Sequence, residues 1–303
     1  MIVNGFQLRA GHGELLFVDD LSAGAAGQLV FLPLVAYLVE ATSWIVASLL
    51  IAAAALAVLP LVVALLRDRP ADLGLAPYGG DSLVTPMVPT GTSAAGLALG
   101  ALQRAVRTKA FWALAGAFAI CGATTNGLIG IHFIPSAHDH GMATTTAAGL
   151  LMFVGVFDIV GTVASGWLTD RIDPRLLLVA YYTFRGVGLL LLPWLLADTV
   201  HPSMVVFIVV YGLDWVATVP PTIALCREQY GQDSAIVFGW VLASHQVGAA
   251  VVAFLGGLAR DAFGSYDLVW YASGGLCAMA ALMAMVIRRS RSAGPAPAAA
   301  AAQ

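Results

Sequence analysis

Charge is what this sequence has least of. Only 10% of its 303 residues are Asp, Glu, Lys or Arg, while 60% are hydrophobic and the mean hydropathy is +0.88. Soluble domains carry about 25% charged residues. So little polar surface cannot cover a water-facing globule, which excludes a soluble domain and leaves an integral membrane protein. The net charge of −3 comes with no basic block, so nothing points to nucleic acid. Cysteine is scarce as well. Cys121, Cys226 and Cys277 lie in or beside apolar runs without metal-ligand spacing, and read as small core residues rather than a disulfide framework. There is no Walker loop, dinucleotide fingerprint or Ser-His-Asp arrangement. The sequence therefore implies no cofactor and no enzyme. The opening stretch "MIVNGFQLRAGHGELLFVDD" lacks the pattern of a signal peptide.

Long apolar runs are what the sequence has in abundance. A helix needs about 20 apolar residues to cross the hydrocarbon core, and eight runs qualify: 22–39, 42–66, 110–134, 146–169, 176–198, 203–225, 234–258 and 266–287. They do not alternate in polarity as barrel strands do, so the fold class expected is an all-α membrane protein with eight transmembrane helices. Breakers mark the joints, among them "HDHG", "RIDPR", "ADTVHP" and "REQYGQD". Pro60 and the pair Pro220–Pro221 fall inside predicted helices and predict kinks. Residues 67–109 read as a linker with a short helix near "AAGLALGALQRAV", and 291–303 as a low-complexity tail.

Basic residues set the orientation. With the C-terminal Arg288, Arg289 and Arg291 inside, alternation also puts Arg9, Arg67, Arg69, Arg104, Arg107, Lys109, Arg171, Arg175 and Arg227 inside. That is twelve of the 14 basic residues. Arg260 alone falls outside, and Arg185 lies within a helix. Both termini are expected in the cytoplasm, with the chain in the cell's inner (plasma) membrane and lipid as its principal neighbour.

The loop "GWLTDRIDPR" places charges and a proline between two apolar runs. Gly166, Leu168, Asp170, Arg171 and Arg175 match the Gly-x-Leu-x-Asp-Arg-x-Gly-Arg-Arg loop of the major facilitator superfamily, with Asp173 and Pro174 as departures. "RDRPADLGLAPYG" resembles the start of that family's central linker. "GLDWVATVPPTIAL", "FGWVLASHQVGAA" and "RDAFGSYD" resemble the tenth to twelfth helices of monocarboxylate and oxalate/formate-type members. The resemblance covers about residues 20–290. It implies a complete C-terminal six-helix half at 110–290, and two helices of the N-terminal half within 1–66. It also implies a chain truncated at its N-terminus, completed by a second copy or a separate first half. The loop would act as a conformational latch.

Four ionisable residues fall near predicted midspans: Asp158, Arg185, Asp214 and His245. Charges at that depth cost about 2.5–3.5 kcal/mol or more, so they face a cavity or pair with one another. Arg185 is expected to bridge to Asp158 or Asp214. The resemblance puts Asp158, Asp214 and His245 near the substrate or proton pathway, and Arg185 on a peripheral helix. Monocarboxylate transporters carry an aspartate near the place of Asp158 with an arginine one turn later, where this chain has Thr162. Thr124, Thr125 and Asn126 form a polar cluster that would bind substrate or bond between helices. His132, His138 and His140 have spacing that hints at a metal but read as a solvated loop. The resemblance implies a secondary transporter of a small organic anion, such as a monocarboxylate, by proton symport or exchange. A non-transporting fragment and a membrane scaffold or sensor are the alternatives.

Overall fold

The computed structural model describes residues 41–65 and 93–287, together with Val35 and Leu38. Every regular element among them is helical. Helix α1 spans Trp44–Leu65 and α2 spans Ala94–Ala105. Helix α3 (Lys109–Gly122) runs through a π-helical segment, Ala123–Ile129, into α4 (Gly130–Asp139). Then come α5 (Thr144–Thr169), α6 (Pro174–Leu195), α7 (Pro202–Asp214), α8 (Val219–Tyr230), α9 (Ser234–Phe263) and α10 (Asp267–Val286).

Six stretches of the described residues are long and apolar enough to cross a membrane. One of them, Pro202–Phe263, has 62 residues, far beyond the length that a bilayer needs. Gly231, with φ of 53°, ends α8, and a 3₁₀ turn at Gly231–Asp233 follows. Helices α8 and α9 then pack on each other, so this stretch folds as two packed arms rather than one continuous rod. The predicted run 22–39 lies almost wholly outside the described residues, as do 66–92 and the tail. The short helix expected near residue 95 is α2. It is docked on the bundle by Arg104 to Asp233 at 2.8 Å and by Trp240 Nε1 donating to the Ala98 carbonyl at 3.1 Å.

The bundle closes through three helix pairs: α3 and its π segment with α9, α5 with α7, and α6 with α10. Small residues permit the contact. A Cβ on Gly122 would stand 1.9 Å from the His245 carbonyl oxygen, and one on Gly161 would stand 2.0 Å from that of Leu213. Gly186 and Gly274 face each other across α6 and α10 in the same way. Large apolar side chains cover the outside, among them Trp44, Val163, Phe184, Trp194, Phe254 and Leu282, which is the surface that lipid accepts.

Candidate functional site

The sequence predicts one continuous kinked helix over 203–225, but the chain forms two. Helix α7 stops at Asp214 and α8 starts at Val219 with both prolines in its first turn. The cause is local. Pro220 and Pro221 have no N–H, so the carbonyls of Val216 and Ala217 lose the donors that a continuous helix would supply. In a membrane each freed group needs another partner. Val219 N–H serves the Val216 carbonyl at 2.9 Å, and Ser165 of α5 donates its hydroxyl to the Ala217 carbonyl at 2.5 Å.

The charged residues complete the repair. Arg185 Nε donates to Asp214 Oδ2 at 2.6 Å, and its Nη2 donates to the carbonyls of Asp214 at 2.7 Å and Trp215 at 3.4 Å. Val216 N–H donates to Asp158 Oδ1 at 3.0 Å, which also accepts from Thr162 at 3.1 Å. Thus a cation from α6 covers the exposed C-terminal carbonyls of α7, and an anion from α5 takes the freed amide. Of the two partners expected for Arg185, the structure selects Asp214. The resemblance implies a peripheral helix for Arg185, yet its side chain is 0% exposed.

The π segment lies against this break. Tyr211 donates its hydroxyl to the Thr124 carbonyl at 2.7 Å. Cys121 Sγ accepts from Arg185 Nη1 at 3.0 Å and lies 3.3 Å from the Thr218 hydroxyl. A residue that reads in sequence as mere packing therefore joins the charged cluster. Asp214 Oδ1 and His245 Nδ1 are buried and have no partner among the described residues. The His245 ring packs on Phe118 with centroids 5.1 Å apart.

The polar triplet divides. Thr124 and Thr125 are buried and bond back to their own helix, at the carbonyls of Ile120 and Cys121. Asn126 is exposed. The external histidines do not gather. His132 bonds to the Ala253 carbonyl and His140 to that of Ser136, and no metal-ligating group of three exists among the described residues.

The loop between α5 and α6 folds back on its own half. Asp173 caps α6 by accepting from the Arg175 amide at 3.0 Å, and Pro174 opens the helix, so the two departures from the family pattern make a helix start. Arg175 pairs with Asp173 and reaches the Ile287 carbonyl at the end of α10 at 3.2 Å. Arg171 lies 4.1 Å over the Trp167 ring and donates to its carbonyl at 2.8 Å. Gly166 is buried in α5 and Leu168 half-buried, while Asp170 is exposed.

Discontinuous helices that meet around polar groups recur in secondary transporters. The Major Facilitator Superfamily model matches residues 21–235, and the chain belongs to that family. Monocarboxylate transporter 13 of Rattus norvegicus is 33% identical over 147 residues, which are 48% of this chain and 34% of that relative. An uncharacterized MFS-type transporter, YcxA, of Bacillus subtilis is 31% identical over 154 residues, 49% of this chain and 37% of that relative. The chain thus spans about a third of the length of these relatives. Its fold is similar to that of the E. coli fucose:proton symporter, with a TM-score of 0.54 at 20% identity, covering 65% of this chain and 46% of that one.

Proposed function

We propose that the chain supplies the C-terminal half of a secondary transporter for a small organic anion, in the first instance a monocarboxylate. Transport proceeds by alternating access with proton symport or exchange. The observation that carries this reading is the meeting of two interrupted helices, the π segment and the α7–α8 break, through Tyr211 and Cys121. Secondary transporters place their sites where such interruptions meet near midspan. The similarity to a monocarboxylate transporter favours the anion. Both termini face the cytoplasm of a plasma-membrane protein, as the basic residues indicate. Asp170 belongs to the latch: it is exposed at the end of α5 and free to meet a first half.

A ligand that binds the folded state raises its melting temperature with concentration. Detergent-purified chain titrated with lactate, pyruvate, formate and oxalate is expected to show saturable stabilisation by at least one. Saturable stabilisation by sugars or organic cations, with none by any of these four anions, would contradict the anion reading.

A further inference from the structure

Arg185 is the obvious anchor for an anion, yet all three of its guanidinium nitrogens are engaged within the bundle and its side chain is fully buried. Asp214 Oδ1 and His245 Nδ1 are unpartnered but buried; the exposed polar groups are elsewhere. Along α3, the π segment and α4, the exposed positions between Trp112 and Pro135 are Asn126, Gly130 and Ile131. Along α9, every exposed position between Val241 and Arg260 is apolar except Gln246. Each helix therefore exposes one polar side chain in its middle, a carboxamide in both cases. Neither Asn126 nor Gln246 has a partner among the described residues.

The two carboxamides flank one crossing. A Cβ on Gly127, next to Asn126, would stand 2.4 Å from the Ala249 carbonyl oxygen. The Gly122 Cβ would stand 1.9 Å from the carbonyl of His245, next to Gln246. An unpartnered amide in hydrocarbon is costly, so a polar side chain at this depth faces water or a ligand. We infer that Asn126 and Gln246 form a substrate-binding pair whose N–H groups hold the carboxylate of the transported anion, in place of an arginine. The inference rests on the transporter reading above. A neutral pair of donors orients a carboxylate without trapping it, which suits a site that must release what it binds.

Two measurements test this on the full chain. The three native cysteines are buried, so an introduced one can be followed. In liposomes, Gln246→Cys and Asn126→Cys are expected to react with a charged, water-borne methanethiosulfonate much faster than Leu282→Cys, which sits on the exposed apolar face of α10. Pyruvate should slow both reactions. Labelling no faster than at Leu282 overturns the inference. In the thermal titration, Gln246→Leu and Asn126→Leu should each weaken pyruvate binding about tenfold or more, the loss of one charge-assisted hydrogen bond, while leaving the unliganded melting temperature unchanged. Wild-type binding of pyruvate with equal binding by both leucine variants overturns the pair and leaves the transporter reading standing. Fast aqueous labelling without protection or stabilisation by any carboxylate overturns the anion as substrate instead.

Discussion

Arg185 is held by one carboxylate, two carbonyls and the Cys121 sulfur, with its side chain fully buried. Removing one partner of a buried pair leaves the other charge uncompensated, at a cost of about 3–5 kcal/mol. Arg185→Gln is therefore expected to lower the melting temperature sharply. Adding Asp214→Asn should restore part of the loss, because Asp214 is the partner. Adding Asp158→Asn should restore nothing, because its carboxylate is committed to Val216 and Thr162. Equal rescue by both changes would reject the assignment. The residue types at these positions stand out in the sequence, since each is an ion in an apolar run. Which aspartate Arg185 takes depends on how α5, α6 and α7 come together, and no local signal encodes that. Gln246 was also visible, one place after His245 in "LASHQV". A carboxamide draws less notice than a charge, and only its exposure in the folded bundle separates it from a packed one.

At the scale of the element, the instructive case is the α7–α8 break. The prolines announce a disturbance but not its form, because a kinked helix and a severed one share the same sequence. The decision falls to Ser165, Asp158 and Arg185 on other helices, which satisfy the groups set free. Ser165→Ala should leave the Ala217 carbonyl unpartnered and cost about 1–3 kcal/mol. On a Pro221→Ala background the same change should cost much less, since the amide restored at position 221 can serve that carbonyl. A double-mutant cycle measured by thermal unfolding reads the coupling directly. Strict additivity would show that the hydroxyl does not staple the break. The π segment carries no comparable signal. Glycines and threonines permit it, and the pressure of α9 against Gly122 and Gly127 accompanies it.

Considered whole, the molecule is a bundle whose outside suits lipid and whose middle is knit by charge. Apolar run length made the helical class and most spans legible. The helices α5, α6, α9 and α10 lie within a few residues of their predicted runs, α9 continuing to Phe263. Orientation comes from the basic residues alone, and it makes a plain forecast: a C-terminal reporter active only outside the cytoplasm should stay silent. Strong activity there would reverse every loop assignment. The division of labour inside the bundle is the central claim. Buried charges hold the broken helix together, and the exposed carboxamides are the groups we propose to read the substrate. The most direct measurement is pyruvate binding by the Arg185→Gln, Asp214→Asn double variant, followed by thermal titration. If the ion pair is a staple, the folded double variant should bind pyruvate with the wild-type affinity. If it folds and shows no pyruvate-dependent stabilisation while wild type does, Arg185 is the anion's anchor and the account is wrong.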